Sequence, residues 1–448
     1  MSGRRLFGTD GIRARFGEGP LVEETVRRIG EQLARFLDDG FDRPHVVVGG
    51  DTRESTATLL AWLGDGLLSG GAIPVAVGVL PTPALAFLVR REAAAAAVVV
   101  SASHNPAEDN GIKLIDNHGF KWATAAEAAF ESWLEHPRPR PLSSVSHSLD
   151  RTGEARAAYL EFLTHSREEK QPLAGLRVAL DAAHGAASDL AGEVFASLGA
   201  DVDLHFAAPD GRNINAGCGS THPEALCALV RAGRFDLGFA FDGDADRALL
   251  VDERGELRDG DAMLFLWASA LAEAGTLSPA AIVATSMSNL GLERALAGRG
   301  VTVLRCDVGD REVVAMLQRE GLRLGGEQSG HLLDLRRSTT GDGLLTAVAI
   351  ARLARRAERP VSELLSGFVR YPQLLRNVRV TRKLPFAEIP QVARAMRHAE
   401  QTLGDDGRLL LRYSGTEPLA RIMLEGPDEG VIGSLADDLA SALAGALG

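Results

Sequence analysis

Short apolar runs alternate with amphipathic stretches along most of the chain, and this alternation restricts the fold more than any other feature. Most of these runs contain β-branched residues, and each precedes a stretch with helical periodicity. The runs occupy residues 45–48, 73–77, 97–100, 178–180, 237–241, 281–284 and 301–304. Because they are continuously apolar, we expect mixed or parallel sheets covered by helices on both faces. The pattern predicts an α/β fold.

The length of 448 residues predicts three or four domains, since compact domains usually have about 100–150 residues. Pro-rich and charged stretches and the starts of new strands suggest the boundaries. We expect α/β units at residues 1–165, 166–256 and 257–368, and a C-terminal unit at 369–448. The last unit has a different pattern, with strands near 377–381, 408–413 and 421–425 alternating with two helices.

Charge and cysteine content exclude several classes of protein. The formal charge of −12 argues against nucleic-acid binding, which requires a basic face. Cys218, Cys227 and Cys306 are scattered without CxxC spacing, so we expect neither a disulfide framework nor a zinc site. The longest apolar run, 93–100, is far shorter than the ~18 residues of a membrane span. We therefore expect a cytoplasmic protein without a nucleic-acid or membrane partner.

Three carboxylates at alternate positions, Asp242, Asp244 and Asp246, directly follow an apolar strand. In an extended loop, this spacing would turn all three side chains the same way. Such a cluster needs a hard cation, and carboxylate oxygens are the ligands that Mg²⁺ prefers. The alternatives are a solvated acidic turn and a calcium loop of the EF-hand type. The calcium loop would require glycine where Arg247 stands, and a helix where the following sequence predicts a strand.

Ser103 lies just beyond the apolar run 97–100, at the kind of strand end where α/β folds open a ligand crevice. The alternative is a Ser/Asn/Pro turn that only closes the strand. No glycine flanks the serine, which argues against the nucleophile elbow of an acyl-transfer enzyme. On an extended backbone, the side chain of His104 would point away from Ser103.

Two further segments have ligand-binding composition. Residues 325–331 combine glycines with Glu327, Ser329 and His331, which suits a hydroxyl-rich ligand. Residues 412–418, with Arg421 beyond them, offer guanidinium groups, hydroxyls and glycine N–H donors for a phosphate. Each segment could instead be a structural turn. Residues 7–13 and 49–53 could converge on Ser103, with Arg13 pairing with a phosphate there.

In this order and spacing, SASHNP, DGDADR, GGEQSGH and RYSGTEP resemble the α-D-phosphohexomutase superfamily over essentially the whole chain. Segments 6–13, 209–223, 308–311 and 371–373 are similar to its bacterial members that act on glucosamine phosphates. The resemblance implies four domains around a central cleft: three mixed α/β sheet domains and a smaller C-terminal TBP-like α+β domain. It implies an isomerase that interconverts glucosamine 6-phosphate and glucosamine 1-phosphate and so supplies UDP-N-acetylglucosamine synthesis. The alternative is a member that acts on mannose or glucose phosphates.

The resemblance also implies roles for individual residues. Ser103 matches the phosphoserine, which contacts one Mg²⁺ per subunit held by Asp242, Asp244 and Asp246. The sugar hydroxyls are assigned to Glu327 and Ser329, and the non-reacting phosphate to Arg412, Ser414, Gly415, Thr416 and Arg421. The charge of the transferred phosphate is assigned to Arg13, Lys113 and Arg247, and the candidates for proton transfer are His331, Lys113 and His104. A hexosamine bisphosphate is the expected intermediate and activator, a sugar phosphate the expected partner, and a homodimer a further expectation.

Overall fold

The computed structural model describes residues 6–8, 10–37, 40–41, 43–137, 147–165, 170–414 and 417–448. The chain divides into two compact units. Unit 1 comprises Met1–Met287 and Val301–Ser366, and unit 2 comprises Ser288–Gly300 and Gly367–Gly448. Unit 1 contains three mixed α/β sheets and unit 2 one small antiparallel sheet. The predicted α/β class, with a smaller C-terminal α+β domain, is confirmed. The residue limits of the four domains stay a prediction, and the limit after residue 165 borders the undescribed residues 166–169.

The first sheet has six strands in the order β1-β5-β4-β2-β3-β6. The strands are β1 (Ile12–Arg15), β2 (His45–Gly50), β3 (Ile73–Val79), β4 (Ala96–Val100), β5 (Asp109–Asp116) and β6 (Leu149–Asp150). The helices are α1 (Glu23–Leu37), α2 (Glu54–Ser69), α3 (Thr82–Arg91), α4 (Thr124–Glu135) and α5 (Thr152–Thr164). Side chains of α1, α2 and α4 share a core with Val48 and Val98 on one face, while α3 packs against β2 and β4. Both faces are covered, as the continuous apolar strands predict.

The second sheet has five strands in the order β11-β10-β9-β7-β8. They are β7 (Arg177–Asp181), β8 (Asp201–His205), β9 (Leu237–Phe241), β10 (Ala248–Asp252) and β11 (Leu257–Arg258), with helices α6 (Ala191–Ser197) and α7 (Glu224–Gly233). Strands β7, β8 and β9 run parallel, whereas β9 and β10 form an antiparallel hairpin. The loop of this hairpin carries the three aspartates.

The third sheet has four strands in the order β13-β12-β14-β15. They are β12 (Ala281–Thr285), β13 (Thr302–Cys306), β14 (Leu324–Gly326) and β15 (Leu332–Asp334). The accompanying helices are α8 (Gly260–Glu273), α9 (Leu290–Ala297), α10 (Asp310–Glu320), α11 (Gly343–Ala357) and α12 (Val361–Leu364). Although α9 connects β12 to β13 in the chain, it belongs to unit 2. The glycine-rich segment 325–331 spans the turn between β14 and β15.

Unit 2 is built on three antiparallel strands in the order β16-β18-β17. They are β16 (Gln373–Arg379), β17 (Arg408–Tyr413) and β18 (Leu419–Glu425), with helices α13 (Pro390–Leu403) and α14 (Glu429–Leu447). By length and composition α14 is apolar enough to span a membrane. However, its residues Ile432, Leu435 and Leu439 pack in one core with strand residues such as Ile422. Their burial against the sheet accounts for its apolar composition.

Glycines set the close packing of α1 against α2. A Cβ added at Gly66 of α2 would collide with the carbonyl oxygen of Arg27 on α1, and one at Gly30 with that of Leu63. Gly64 lies two residues earlier on α2. Among the described residues, no atom of α1 lies within 4 Å of a Cβ added there. The two helix backbones therefore approach each other where side chains are missing, and Gly64 takes no part in the contact.

The substitution Gly66→Ala should lower the free energy of unfolding by about 1–3 kcal/mol, because overpacked methyl groups force backbone shifts. The matched substitution Gly64→Ala should raise it by roughly 0.5–1 kcal/mol, since alanine loses less backbone entropy in a helix. Chemical denaturation of the two variants measures both effects. Equal stability of the two variants would contradict the close approach of the helices.

Candidate active site

Ser103 lies in the loop that follows β4, and its side chain is buried. Its backbone has φ of +52°, in the left-handed region. The Oγ atom of Ser103 lies 3.3 Å from Nδ1 of His104. The expectation that His104 would point away from Ser103 is therefore wrong, because the strand alternation on which it rests ends where the backbone becomes left-handed.

Several polar groups fix the loop of Ser103. The guanidinium of Arg53 donates to the carbonyl oxygens of Ser103 (3.2 Å) and Asn105 (2.6 Å). Asn215, from the second α/β domain, donates to the same two oxygens at 3.0 and 3.1 Å. Arg53 is itself ion-paired with the buried Asp51. The segment 49–53 thus converges on Ser103, because β2 and β4 are parallel neighbours whose carboxyl ends meet at one edge.

The aspartate loop joins β9 to β10, and one carboxylate oxygen of each of Asp242, Asp244 and Asp246 lies within 4.8 Å of the others. The loop is a tight turn, not the extended segment that we expected. Ala245 adopts φ of +52°, and its N–H donates to the carbonyl oxygen of Asp242 at 3.0 Å. The convergence of the carboxylates is thus produced by the turn. Because strands flank the loop on both sides, the EF-hand alternative is excluded.

The serine loop and the aspartate loop meet directly. The Oγ atom of Ser103 donates to Oδ2 of Asp242 at 2.6 Å, and both side chains are buried. A Cβ on Gly243 would lie 2.5 Å from the carbonyl oxygen of Ser103. Glycine is therefore required at position 243 for the two loops to approach this closely.

Cationic side chains surround the carboxylates. The Nζ atom of Lys113, on β5, lies 2.7 Å from Oδ2 of Asp244 and 3.8 Å from Oδ2 of Asp246. Nε of Arg247 lies 3.7 Å from Oδ1 of Asp246. Although burial opposes their charge, Asp246 and its neighbours raise the pKa of Arg247, and carboxylates including Asp244 raise that of Lys113. Both side chains remain positively charged at neutral pH.

The three carboxylates differ in their protonation. Burial, together with repulsion from Asp246 and Asp244, raises the pKa of Asp242 well above its usual value. Burial also acts to raise the pKa of Asp246, but Lys113 and His331 more than compensate and lower it. Oδ1 of Asp244 and Oδ1 of Asp246 are buried without a hydrogen-bond partner among the described residues. Buried carboxylate oxygens with unused lone pairs fit a hard divalent cation such as Mg²⁺.

Arg13 lies beside the serine loop, where its Nη1 donates to the carbonyl oxygen of Ala102 and to Oδ1 of Asn105, both at 3.0 Å. It also forms an ion pair with Asp10. Asp10 is ion-paired with Lys121 as well, and lies 3.8 Å from Nζ of Lys113. Although burial opposes ionisation, these cations lower the pKa of Asp10. The residues predicted to neutralise a phosphate are therefore held in one charge network.

The turn between β14 and β15, in unit 1, carries Glu327, Ser329 and His331. Oε1 of Glu327 accepts from the backbone N–H of Gly309 at 3.0 Å. Oγ of Ser329 is buried without a hydrogen-bond partner in the described part of the chain. Nδ1 of His331 lies 3.7 Å from Oδ2 of Asp246. Burial disfavours the charged ring, but Asp246 raises the pKa of His331 to about 9.

In unit 2, Arg412 of β17 lies directly opposite Arg421 of β18. Both lie on the face of the sheet opposite to the core, because their neighbours Leu411, Ala420 and Ile422 point into it. Like charges directly opposite each other on neighbouring strands are destabilising unless an anion compensates them. Glu417 accepts from Nη2 of Arg421 at 2.7 Å and compensates this arginine in part, whereas Arg412 has no carboxylate within ion-pair distance among the described residues. The N–H of Glu417 donates to Oγ of Ser414 at 3.3 Å. Gly415 and Thr416, predicted for the same pocket, lie outside the described residues.

Four domain profiles of one family match successive parts of the chain. They are described as phosphoglucomutase/phosphomannomutase alpha/beta/alpha domains I, II and III and C-terminal domain, and they match residues 4–138, 157–255, 259–371 and 375–442. The chain belongs to the phosphoglucomutase/phosphomannomutase family. The superfamily resemblance inferred from the sequence motifs is thereby confirmed.

Curated relatives and solved structures of the phosphoglucomutase/phosphomannomutase family extend this comparison. A phosphoglucosamine mutase of an Anaeromyxobacter species is 43% identical over 452 residues, covering 99% of this chain and 96% of that protein. That of Halorhodospira halophila is 45% identical over 438 residues, covering 98% and 96%. A family protein from Burkholderia thailandensis superimposes with a TM-score of 0.83 at 26% identity, covering 100% and 98% of the two chains. Aspergillus fumigatus N-acetylphosphoglucosamine mutase, solved with GlcNAc-6P and magnesium, has the same fold, with a TM-score of 0.71 at 18% identity and coverage of 99% and 96%.

The phosphoglucomutase/phosphomannomutase fold also places residues in this site that the sequence did not single out. Asn215 donates to the serine loop, and Oγ1 of Thr82 donates to Oδ2 of Asp244 at 2.5 Å. Asp10 and Lys121 complete the charge network around Lys113. Asp10 stood inside the predicted segment 7–13, and Asn215 inside the segment 209–223 that supported the resemblance. Thr82 carried no sequence signal, since it opens an ordinary helix.

The buried pair of Asp51 and Arg53 should be essential for the stability of the serine loop. The substitution Arg53→Met leaves the Asp51 carboxylate buried and unpaired, which should cost about 3–5 kcal/mol. The double variant Asp51→Asn with Arg53→Met removes that charge and should recover part of the loss. Thermal denaturation of both variants against the native protein measures the difference. A double variant no more stable than the single one would contradict this coupling.

Proposed function

We propose that this chain is a phosphoglucosamine mutase, which interconverts glucosamine 6-phosphate and glucosamine 1-phosphate. The observation that carries the proposal is the buried contact of 2.6 Å between Oγ of Ser103 and Oδ2 of Asp242, which joins a nucleophile to a cation site across two domains. The curated relatives, at 43–45% identity over nearly the whole chain, are phosphoglucosamine mutases. Mutases for mannose or glucose phosphates are the alternative that the assay below distinguishes.

We propose that Asp242, Asp244, Asp246 and the phosphorylated Ser103 together hold one Mg²⁺. Phosphorylation replaces the hydroxyl proton of Ser103 with a group of charge about −1.5 to −2. The hydrogen bond to Asp242 is then lost, and two anions face each other in a buried site. A bound Mg²⁺ would neutralise this charge and polarise the phosphoryl group. The unused oxygens of Asp244 and Asp246 support this assignment.

In the proposed reaction, a hydroxyl oxygen of the sugar monophosphate attacks the phosphorus on Ser103. A new P–O bond to the sugar forms, the bond to Oγ of Ser103 breaks, and the hydroxyl proton leaves to a base. The resulting bisphosphate then returns its other phosphoryl group to Oγ by the reverse step. Because the transition state carries its charge on the phosphoryl oxygens, Arg13, Lys113 and Arg247 act by position and charge.

His104 is the proton acceptor that the electrostatics favour. Burial, and then Arg247 and Arg13, lower its pKa, so that the ring is neutral at physiological pH. Its Nδ1 atom lies 3.3 Å from Oγ of Ser103. Of the other candidates, Lys113 is held in the charged form by carboxylates. Carboxylates also raise the pKa of His331, but its Nε2 already accepts from the N–H of Gly341 at 3.1 Å. Lys113 serves as a cation, and the neutral imidazole of His104, beside the phosphoryl group on Ser103, accepts the proton of the attacking sugar hydroxyl.

The binding groups fall into two sets. Glu327 and Ser329 would contact the sugar hydroxyls, and the free Oγ of Ser329 supports this role because a buried hydroxyl gains a partner when the sugar binds. Arg412, Ser414, Gly415, Thr416 and Arg421 would bind the phosphate that does not react. The opposed arginines of β17 and β18 support this role, since a phosphate dianion would offset their repulsion.

Several wider expectations accompany this activity. We propose a cytoplasmic enzyme whose partner is a small sugar phosphate, with a hexosamine bisphosphate as intermediate and activator. A homodimer and the lack of nucleic-acid and membrane partners stay predictions. The acidic charge of −12 means that the anionic substrate must be attracted by local cations such as Lys113 and Arg412.

The proposed function predicts that purified protein, primed with a hexosamine bisphosphate and Mg²⁺, converts glucosamine 6-phosphate to glucosamine 1-phosphate faster than it converts glucose or mannose 6-phosphate. A coupled assay with the three substrates side by side measures this. The substitution Ser103→Ala should abolish all three activities, since no oxygen remains to carry the phosphoryl group.

The matched control is Ser132→Ala, on the exposed side of α4, which should retain full activity. Intact mass should show one phosphoryl group on the primed native protein and none on Ser103→Ala. Faster turnover of mannose or glucose phosphate would favour the alternative mutases. Activity of a homogeneous Ser103→Ala protein would exclude Ser103 as the carrier.

Mg²⁺ binding should be visible without any assay of turnover. At about 100 times its dissociation constant, Mg²⁺ should stabilise the native protein by about 2.7 kcal/mol, because it binds only the folded aspartate loop. Thermal denaturation with Mg²⁺ and with a chelator measures this shift. The substitution Asp244→Asn should remove most of it, whereas Asp201→Asn, exposed on β8 of the same sheet, should leave it intact. An unchanged shift in Asp244→Asn would place the ion elsewhere.

The substitution Arg412→Gln should weaken binding of the sugar phosphate without lowering the stability of the protein. We expect KM for the sugar phosphate to rise roughly tenfold or more, because a charge-assisted hydrogen bond to phosphate is lost. The thermal midpoint should stay the same or rise slightly, since the repulsion of Arg421 is removed. Arg397→Gln, exposed on α13, is the matched control and should change neither quantity. An unaltered KM for Arg412→Gln would argue against the phosphate pocket on this sheet.

A further inference from the structure

A cavity in unit 1 lies between α3, α5, α11 and the turn after β15. Its volume is about 900 Å³, which is within the usual range for small-molecule sites. The described residues that line it are Phe87, Arg91, Ala158, Glu161, Phe162, His165, Arg323, Arg336, Arg337, Arg352 and Arg356. Six of these eleven are arginines and one is acidic, in a chain whose formal charge is −12. The cavity is therefore a local concentration of positive charge.

The arginines of this cavity differ in how far their charge is already neutralised. Arg323 forms a bidentate pair with Asp334 at 2.7 and 2.6 Å, and Arg352 and Arg356 have interactions of their own. Arg336 and Arg337 have no carboxylate within ion-pair distance in the described part of the chain. Arg336 is exposed, and its backbone N–H, not its guanidinium, contacts Asp334. The guanidinium of Arg337 donates through Nη2 to the carbonyl oxygen of Phe162 at 3.4 Å, and its other N–H groups and the guanidinium of Arg336 are available to an anion.

Aromatic rings form the other half of the lining. The rings of Phe87 and Phe162 stack with centroids 4.7 Å apart and an interplanar angle of 25°, and both are only partly buried. The guanidinium of Arg337 lies 5.6 Å above the ring of Phe162. Planar aromatic ligands stack on such phenylalanine and guanidinium surfaces. The exposed parts of the two rings therefore form an apolar surface directly beside Arg336 and Arg337.

We propose that this cavity binds a nucleoside phosphate, with the phosphates on Arg336 and Arg337 and the base against Phe87 and Phe162. A free phosphate would use the cations but leave the aromatic surface uncovered, whereas an uncharged aromatic compound would leave the cations uncompensated. A nucleotide satisfies both halves of the lining. This inference does not depend on the proposed mutase activity.

The cavity is distinct from the site of Ser103. The ring of Phe162 lies 6.0 Å from that of Tyr159, whose hydroxyl donates to Oδ2 of the buried Asp342 at 2.9 Å. Asp342 caps α11, and the N–H of the next residue, Gly343, donates to the carbonyl oxygen of Ala245 at 3.0 Å. One aromatic layer and one helix terminus therefore separate the cavity from the aspartate loop.

Calorimetric titration of the full chain with ADP, inorganic pyrophosphate and adenosine, in the presence of EDTA, tests the proposal. We expect ADP to bind at least tenfold more tightly than either of the others, because only ADP has both the phosphates and the base. The substitution Arg336→Glu should weaken ADP binding by tenfold or more. Its matched control, Arg319→Glu, exposed on α10, should leave ADP binding unchanged.

Two further variants keep the result interpretable. Phe162→Leu should reduce the preference for ADP over pyrophosphate while pyrophosphate binding persists. Ser103→Ala should bind ADP as the native protein does, since the site is separate. The proposal would be overturned if ADP did not bind, or if ADP and pyrophosphate bound with equal affinity. It would also be overturned if Arg336→Glu, with the thermal midpoint of the native protein, bound ADP as the native protein does.

Discussion

The candidate active site of unit 1 depends on one buried contact between loops of its first and second sheets. Ser103 and Asp242 come from loops of different domains, and their contact is possible only because Gly243 lacks a side chain. Burial of Asp242, with repulsion from Asp246 and Asp244, raises its pKa, and Arg247 opposes that rise. Arg53 and Asn215 hold the serine loop from either side of this contact. The chemistry therefore depends on an arrangement of domains as much as on any one residue.

Much of this arrangement follows from sequence pattern. The continuous apolar strands predicted covered sheets, and the alternate aspartates predicted a carboxylate cluster. Two local predictions were wrong for one reason: Ser103 and Ala245 both adopt left-handed backbone, which the residue types do not demand. That conformation brings His104 to Ser103 and folds the aspartate loop into a turn. Thr82 and Asn215 were missed because a residue that supports a site from another segment has no local signature.

Positive charge is distributed unevenly in this acidic chain, and the clusters of arginine indicate where anions could bind. Arg412 lies opposite Arg421 on the neighbouring strand, and Arg336 lies in the arginine-lined cavity beside Phe162. Both guanidinium groups add positive charge where like charges already lie close together. By contrast, Arg323 and Arg53 are neutralised by bidentate or buried carboxylates and serve the fold. Arg412 and Arg336 have no carboxylate within ion-pair distance among the described residues, so their charge contributes little to the fold.

The membership of α9 in unit 2 has a consequence for synthesis on the ribosome. This helix is synthesised between β12 and β13, but its partners are synthesised much later. The side chain of Asn289, which caps the helix, donates to the carbonyl oxygen of Tyr371, and the N–H of Leu290 donates to the carboxylate of Glu425. The third sheet can pair its strands while α9 is still without its native contacts. Unit 2 can therefore complete its folding only after the last strand has left the exit tunnel, and a chain released before Glu425 would leave α9 with an uncovered face.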